Sequence, residues 1–291
     1  MIIIRLKGGM GNQMFQYAFG LQMANLLDTE LKVDLSSLLD RSKGDFVYRN
    51  YDLPIFKIND NLLMNPQVLK TIYKPKIRRV TKWLRQYIDN GKTFIKEKHF
   101  HFQPELVANP MDNAVYEGWF QSEKYFKNIT PTIRSEFEFI DPIIETSKPL
   151  LKEIHTTNAI CLNVRRTDFL KVDTLNTTDK HYFFNAAKYM TQHIAQPVFY
   201  IFSDDVEWCR KNIILDAPTV VVGHEHKGRK FGNYMQLMAA CKHFIIPNSS
   251  YAWWAVWLNE YPDKIVIAPK NWFNDTSIDT ADLVKEEWIR L

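Results

Sequence analysis

Short apolar runs alternate with segments of helical periodicity along residues 155–270, and this alternation restricts the fold more than any other feature of the sequence. An apolar run, a helical segment and a further apolar run are typical of strands joined by crossover helices. Strands joined in this way lie parallel, because each helix returns the chain to the same end of the sheet. The sequence therefore predicts a doubly wound α/β fold with parallel sheets.

Seven apolar runs are predicted to be strands and five segments to be helices. The strands are 2–6, 31–35, 159–164, 198–203, 219–223, 243–247 and 264–269. The helices are 12–27, 180–194, 205–213, 233–242 and 250–260. Residues 40–150 are less regular, and prolines interrupt the pattern near residue 150. We therefore expect two α/β domains, 1–150 and 151–291, facing one another across a ligand cleft at the carboxyl ends of their strands.

Composition excludes several classes of protein. No apolar run approaches the roughly 20 residues of a membrane span, and the first residues read as a strand rather than a signal peptide. A net charge of +4 is too small for a nucleic-acid-binding face, and the basic run 74–86 is better explained as a solvated helix or a membrane-surface patch. The three cysteines show no CxxC spacing and are expected to be buried thiols. We expect a cytoplasmic protein, and a peripheral contact with the inner membrane face stays open.

A glycine-rich turn follows the first predicted strand. Gly8, Gly9 and Gly11 allow tight backbone geometry, and the helix that follows offers free N–H groups to an anion. The turn is neither a G-x-G-x-x-G motif nor a Walker A motif, but Asn12 and Gln13 could bond sugar hydroxyls or phosphate oxygens. A purely structural turn is the alternative.

Arg165 and Arg166 follow the strand 159–164 directly, so they emerge at its carboxyl end. Because successive residues of an extended chain point to opposite sides, one arginine can face a ligand while the other braces the scaffold through Asp168. A guanidinium bonds two oxygens of a diphosphate at once. The alternative is a structural pair held by salt bridges.

Polar residues also end two later strands. Ser203, Asp204 and Asp205 follow the strand 198–203, where a carboxylate could accept from a purine or from ribose, or could cap the next helix. Ser249 and Ser250 begin a helix rich in tryptophan, where they could bind phosphate or act as caps. Three tryptophans of this helix are expected to pack between layers. Arginine, aspartate and serine at three strand ends suit a nucleotide diphosphate.

Five ordered motifs resemble those of the α-1,2-fucosyltransferases. They are GGMGNQMFQYA, GWFQSEKYF, VRRTDF, FSDDVEW and CKHFIIPNSSYAWWAVWL, and together they span residues 8–258. The resemblance implies a GT-B fold of two facing Rossmann-like domains and an inverting enzyme that needs no metal or other cofactor. Its donor would be GDP-fucose. Its acceptor would be the 2-hydroxyl of a terminal β-galactoside in a surface polysaccharide of O-antigen type or a lipid-linked glycan.

The resemblance also implies roles for particular residues. In the second half, Arg165 would hold the diphosphate and an aspartate of Ser203–Asp205 the guanosine. The remaining donor contacts would come from Gly11, Asn12, Gln13, Asn248, Ser249, Ser250 and Tyr251. The acceptor would lie against Glu117, Trp119 and Gln121, with the Trp119 ring stacked on a sugar.

Three positions depart from the pattern of the resembled family. Asn163 stands in place of a histidine, Thr167 in place of a glycine and Tyr234 in place of an aspartate. The motif VRRTD is also similar to that of the α-1,6-fucosyltransferases, in which a catalytic base follows the first arginine by eight residues, here Asp173. Asp173, Asp168 and Glu117 are all candidates for the base, and an α-1,6 linkage is an alternative.

Two other classes of protein fit part of the sequence. A Rossmann oxidoreductase could use Asp34 for a ribose, but it needs a glycine where the chain has Met14. A non-catalytic glycan-binding protein would explain the aromatic content, but it would not need Arg165, Asp204 and Ser249 at three strand ends. The fucosyltransferase is therefore the preferred hypothesis.

Overall fold

The computed structural model describes residues 1–40, 48–64, 93–167 and 169–291. The basic run 74–86 and Asp168 lie outside the described residues. The chain divides into two compact units, Met1–Glu138 and Phe139–Leu291. The boundary expected near residue 150 falls inside the second unit, on the helix Lys148–Thr156.

The first unit is built on a parallel sheet. Within the described ranges its strands are β1 (Ile2–Arg5), β2 (Leu31–Asp34), β3 (Thr93–Lys96) and β4 (Ala114–Glu117). Their order is β2-β1-β4-β3, and each neighbouring pair is parallel. The isoleucines of β1 are completely buried, as expected of a strand covered on both faces.

The described helices of the first unit are α1 (Met10–Leu26), α2 (Ser36–Leu39), α3 (Pro104–Ala108) and α4 (Thr130–Glu136). Two of them begin with a start signal in the sequence. α3 and α4 each carry proline in the first two positions, where its missing N–H costs nothing. α1 begins two residues earlier than the predicted 12–27, because the chain turns into the helix at Gly9.

The second unit is built on a larger parallel sheet. Its described strands are β5 (Asn158–Val164), β6 (Pro197–Ser203), β7 (Thr219–Val221), β8 (His243–Ile245), β9 (Val266–Ala268) and β10 (Ile289–Arg290). Their order is β10-β9-β8-β5-β6-β7. The described helices are α5 (Lys148–Thr156), α6 (Lys180–His193), α7 (Val206–Asn212), α8 (Gly232–Ala239) and α9 (Ser250–Leu258). The predicted parallel α/β fold is confirmed.

Each sheet reverses its direction of winding beside one central strand. In the second unit the chain runs from β5 through β6 to β7 and then returns to place β8 on the other side of β5. In the first unit β1 lies between β2 and β4 in the same manner. Ligands of open α/β sheets bind outside the carboxyl ends of the strands at such a switch point. Candidate ligand sites therefore lie at the carboxyl ends of β5 and β8 in the second unit, and at the carboxyl ends of β1 and β4 in the first.

The aromatic helix α9 is part of the core of the second unit. Trp253 and Trp254 are completely buried and Trp257 is nearly so. The indole N–H of Trp253 donates to the carbonyl of Leu283 at 2.8 Å, which satisfies its one polar atom. The expected packing role of these tryptophans is confirmed.

The three cysteines, Cys161, Cys209 and Cys241, are buried and reduced, as expected. Of the helices in the described ranges, none combines the length and the apolar character that crossing a bilayer requires.

The fold predicts a pH-dependent contribution to stability from His243, the first residue of β8. Its buried Nδ1 accepts from the N–H of Ile265 at 3.1 Å, and burial, helped by the charge of Lys242, lowers the pKa of His243. The unfolded chain therefore binds more protons than the folded one below about pH 6.5, so the contribution is present above that pH and is lost as pH falls. We expect the free energy of unfolding to drop between about pH 7.5 and about pH 5.5.

His243→Asn should make this drop smaller, because the amide carbonyl can replace Nδ1 as the acceptor without titrating. The measurement is denaturant unfolding at both pH values. His155→Asn, at an exposed position of α5, is the matched control and should leave the pH dependence unchanged. Equal pH dependence in all three proteins would contradict the assignment to His243.

Candidate functional site

The two arginines that follow β5 have different surroundings. The Nε of Arg166 lies 3.3 Å from a carboxylate oxygen of Asp205, and its guanidinium lies 3.7 Å from the ring centroid of Trp208 on α7. Arg166 therefore joins the end of β5 to α7. The brace expected through Asp168 cannot be placed, since that residue lies outside the described ones.

Arg165 stands at the switch point between β5 and β8. One of its terminal nitrogens lies 3.6 Å from a carboxylate oxygen of Asp204, and its guanidinium is 5.2 Å from the ring centroid of Phe169. The side chain keeps 24% of its surface exposed. It is thus a partly exposed cation at the edge where a ligand is expected.

Asp204 fixes the backbone that carries the arginines. Its carboxylate accepts from the backbone N–H of Arg166 at 3.0 Å, and from the N–H and hydroxyl of Thr167 at 3.2 and 2.6 Å. The side chain is only 12% exposed. Because this carboxylate accepts from three donors and lies beside an arginine, its main role is to hold the backbone that follows β5 in place.

Ser203 and Asp205 act as helix-start residues, which was one of the two alternatives from the sequence. The hydroxyl of Ser203 accepts from the N–H of Asp205 at 2.9 Å, and Asp205 accepts from the N–H of Trp208 at 3.1 Å as the N-cap of α7. The carbonyl of Ser203 also contacts Nε2 of His224 at 3.1 Å.

The loop after β8 supplies the other side of the switch point. Ser249 is the N-cap of α9, and its hydroxyl accepts from the N–H of Ala252 at 3.4 Å. Ser250 is the first residue of the helix and is half-buried. Tyr251 donates its hydroxyl proton to the carbonyl of Phe231 at 2.7 Å. Burial raises the pKa of the Tyr251 phenol well above its ordinary value, and the charge of Arg165 opposes only part of this rise.

Two buried amide oxygens at this edge accept no hydrogen bond from the described residues. The amide nitrogen of Asn248 donates to the carbonyls of Leu175 and Trp272, both at 2.9 Å, while its oxygen accepts none. Asn163, near the end of β5, donates to the carbonyl of Phe202 at 3.1 Å and likewise leaves its oxygen without a donor. A buried acceptor in that state costs about 1–3 kcal/mol, so donors from a ligand or from water are expected there.

Asp173 lies on the connection between β5 and α6. It begins the short 3-10 turn Asp173–Leu175, which is fixed by a 3.0 Å bond from the N–H of Asn274 to the carbonyl of Thr174. Its carboxylate is exposed, and no hydrogen bond or ion pair joins it to another described side chain.

The glycine turn of the first unit lies against two of the predicted site residues. Gly8 has a φ of +78°, and a Cβ at this position would collide with the side chain of Asn12 and the ring of Trp119. The amide of Gln121 donates to Oδ1 of Asn12 at 2.6 Å. Residues assigned by resemblance to donor and acceptor thus form one hydrogen-bonded group.

Gln13 and Gly11 belong to the interior of the first unit. The buried amide of Gln13 donates to the carbonyls of Gly8 and Asn50 at 2.9 and 2.8 Å, and it accepts from the N–H of Asp52 at 2.9 Å. Gly11 is buried in the first turn of α1. Gln13 uses its side chain to hold the glycine turn against the 50–52 loop.

Glu117 ends β4 inside a network of charges. Its carboxylate bonds Arg5 and lies 3.7 Å from the ammonium of Lys96. Arg5 also bonds the fully buried Asp34 at 3.0 Å, and Asp34 accepts from the N–H and hydroxyl of Ser36. Asp34 is therefore not placed to bind a ribose, which removes the feature that favoured an oxidoreductase.

Trp119 is the exposed aromatic residue at the end of β4. Its side chain is 37% exposed, and the ammonium of Lys7 lies 4.4 Å from the ring centroid. The carboxylate of Glu97 accepts from the backbone N–H of Trp119 at 2.6 Å and of Phe120 at 3.1 Å. Phe120 has a φ of +50°, so Glu97 stabilises a strained turn that presents the indole.

Sequence reasoning missed Glu97, Lys7 and Gln16. Buried Gln16 joins the ends of β1 and β4, because it accepts from the N–H of Lys7 at 2.9 Å and donates to the carbonyl of Gly118 at 3.0 Å. Burial raises the pKa of Glu97 and lowers that of Lys7. The one sign of Gln16 in the sequence was the recurrence of polar residues on the otherwise apolar face of α1.

In the described ranges, no group of three or more histidine, cysteine, aspartate or glutamate side chains is arranged to hold a metal ion.

Comparison with known proteins decides the family. The whole chain, residues 1–291, matches the profile described as glycosyl transferase family 11. This protein is a member of that family. It is 29% identical to the alpha-1,2-colitosyltransferase of Escherichia coli, over 100% of this chain and 98% of that one. It is 30% identical to the O-antigen biosynthesis glycosyltransferase WbnK of Escherichia coli, over 98% and 99% of the two chains.

A more distant relative and two solved structures are also similar to this family 11 member. The galactoside 2-alpha-L-fucosyltransferase Sec1 of Mus musculus is 23% identical over 89% of this chain and 64% of its own length. Fucosyltransferase NodZ from Bradyrhizobium superposes with a TM-score of 0.50, at 15% identity, over 88% of this chain and 91% of that one. A variant of Arabidopsis thaliana FUT1 in complex with GDP gives 0.52, at 11% identity, over 95% and 73%. The expected GT-B fold is thereby confirmed.

Glu97→Gln should loosen the turn that presents Trp119. The amide places a donor where the carboxylate offers an acceptor, and a hydrogen bond to a charged group contributes about 1.5–3 kcal/mol. We expect amide hydrogen exchange at residues 119 and 120 to become roughly ten- to a hundredfold faster. Glu105→Gln, an exposed control on α3, should leave these rates unchanged. Unchanged exchange in Glu97→Gln would show that its carboxylate does not hold the turn.

Proposed function

We propose that this family 11 glycosyltransferase transfers L-fucose from GDP-fucose to the 2-hydroxyl of a terminal β-galactoside, with inversion and without a metal ion. The acceptor glycan is proposed to be a surface polysaccharide of O-antigen type. The names of the relatives support this: two act in colitosyl transfer and O-antigen biosynthesis, and the mouse protein is a galactoside 2-fucosyltransferase.

One observation carries the donor part of the proposal. Arg165 follows β5, Asn248 and Ser249 lie in the loop after β8, and α9 begins directly after that loop, all at one switch point of one sheet. A guanidinium and the positive end of a helix dipole both attract phosphate. The buried oxygens of Asn163 and Asn248 offer acceptors for N–H or O–H donors of the same ligand.

The proposed reaction is a single displacement at the anomeric carbon. The acceptor oxygen forms a bond to that carbon while the bond to the β-phosphate oxygen breaks, and the bonding electrons leave with GDP. Negative charge grows on the diphosphate in the transition state, where Arg165 and the start of α9 would stabilise it. The proton of the acceptor hydroxyl would pass to Asp173, whose carboxylate is exposed, whereas that of Glu117 is held by Arg5.

Trp119 supports the acceptor part of the proposal. Glu97 holds the backbone of Trp119, and the exposed indole beside Gly8 offers a flat apolar surface. The C–H face of a galactose ring packs well against such a surface, and Gln121 and Glu117, at the carboxyl end of β4, would bond its hydroxyls.

A second candidate for the donor sugar is colitose. The relative that carries this activity aligns with the whole of this chain at 29% identity. The proposed phosphate contacts do not involve the sugar, so they suit both donors equally. The choice between them would depend on the residues that face the sugar hydroxyls.

The donor is tested by calorimetric titration with GDP-fucose, GDP-colitose, UDP-galactose and NAD in the presence of EDTA. We expect the GDP sugars alone to bind. The glycan product formed from a β-galactoside acceptor should show an α-1,2 linkage by nuclear magnetic resonance. Absence of GDP-sugar binding would refute the proposal, and a 1,6 linkage would refute its acceptor part. Exclusive use of GDP-colitose would select the second candidate.

Arg165→Lys should lower kcat by roughly two to three orders of magnitude, because an ammonium cannot bond two oxygens of the leaving diphosphate in the same plane. Arg166→Lys is the matched control. It should cost stability through lost packing on Trp208 while leaving kcat within a few-fold of the wild type. Thermal unfolding and initial rates measured on both variants separate the two roles. Equal kcat losses would contradict the different assignments.

Asp173→Asn tests the proposed base in the same assay. Loss of a general base typically costs roughly two to four orders of magnitude in rate, while binding of GDP-fucose should persist. Full turnover by this variant would exclude Asp173 as the base.

A further inference from the structure

The segment between β7 and α8 contains an unusual backbone. Gly228, Lys230 and Phe231 have φ values of +65°, +50° and +62°. Glycine adopts this conformation without strain, but a bulky aromatic residue rarely does. Strain of this kind persists only where the surroundings enforce it, and it concentrates at binding sites.

Three hydrogen bonds, one from α9 and two from α8, hold this segment in place. The hydroxyl of Tyr251 on α9 donates to the carbonyl of Phe231 at 2.7 Å, and the N–H of Tyr234 donates to the carbonyl of Lys227 at 3.3 Å. The amide of Asn233 donates to the carbonyl of His226 at 2.6 Å. The segment is therefore fixed before any ligand arrives.

The helix itself does not require phenylalanine at this position. Phe231 is the N-cap of α8, yet it makes no side-chain capping bond. Serine, aspartate, asparagine and glycine are the favoured N-caps, and glycine or asparagine would also relieve the strain. What phenylalanine adds is its ring, and that ring remains 40% exposed.

The ring belongs to an aromatic group at the carboxyl edge of the sheet. The centroid of Phe231 lies 6.2 Å from that of exposed His224 and 5.8 Å from that of buried Tyr234. Tyr234 donates to the carbonyl of Val222, just after β7, at 2.9 Å, and His224 contacts the carbonyl of Ser203, at the end of β6, at 3.1 Å. The group thus lies over the ends of β6 and β7.

Its position suits one part of a nucleotide. β7 is two strands from β5, so the group lies about 10 Å along the sheet edge from the proposed diphosphate site beside Arg165. A ribose and a base span a similar length. The bond from Tyr251 to Phe231 also joins the group directly to the start of α9.

We propose that the exposed ring of Phe231 stacks on the purine base of the donor nucleotide, with His224 flanking it. This inference rests on the proposed use of a nucleotide-sugar donor. Stacking uses the face of the base and leaves its edge groups for other contacts. Base–aromatic stacking corresponds to about a 5- to 150-fold effect on affinity.

Two substitutions separate the ring from the backbone. Phe231→Asn removes the ring but keeps a residue that tolerates the left-handed conformation, and Phe231→Tyr keeps a ring. We expect calorimetric titration with GDP to show about a 5- to 150-fold higher Kd for Phe231→Asn, and a Kd within about threefold of wild type for Phe231→Tyr. Circular dichroism and thermal unfolding should show that both variants fold.

The outcomes distinguish this inference from the proposed function. If the wild-type protein binds GDP and Phe231→Asn binds it equally well, the stacking role is wrong while the donor assignment stands. If both variants lose affinity equally, the backbone and not the ring matters, and the inference is again wrong. If the wild-type protein does not bind GDP, the proposed function fails and this inference fails with it.

Discussion

The carboxylate of Asp204 is the contact on which the arrangement of the second unit's site depends. It gathers the N–H groups of Arg166 and Thr167, the Thr167 hydroxyl and the Arg165 guanidinium around one nearly buried side chain. A carboxylate withdrawn from water needs such donors, because each missing one leaves charge uncompensated. Asp204 therefore holds the chain after β5 close to the end of β6. This fixes the backbone positions from which both arginine side chains extend.

The separation of the two guanidinium groups follows from that backbone geometry. Arg166 turns to α7, where Trp208 covers one face of its guanidinium and Asp205 neutralises it. Arg165 turns to the switch point between β5 and β8 and keeps a quarter of its surface exposed, 24%. The Arg166 side chain is equally exposed, at 23%, so the two arginines differ in their surroundings and not in their exposure: Trp208 covers Arg166, whereas Arg165 lies at the edge where a ligand is expected.

The sequence predicted what depends on local pattern and missed what depends on pairing across the sheet. Long apolar runs such as β5 and β6 were recognisable, whereas β3 has four residues, lies at an edge and is largely exposed. The sequence suggested Ser203 or Asp204 as the N-cap of α7, but the N-cap is Asp205, because the register that pairs Val164 with Ser203 sets Asp204 opposite the arginines. Glu97 was invisible for a similar reason: its partners are backbone N–H groups more than twenty residues away.

The three departures from the resembled family's pattern each have an internal partner. Thr167 adds a hydroxyl bond to Asp204, and Tyr234 donates to Val222 beneath the ring of Phe231. Asn163 donates to Phe202 but keeps a buried oxygen that accepts nothing from the described residues. Thr167 and Tyr234 are thus satisfied within the scaffold, while Asn163 is not. An unsatisfied buried acceptor costs free energy. Of the three departures, Asn163 is therefore the one best placed to alter which ligand the site binds.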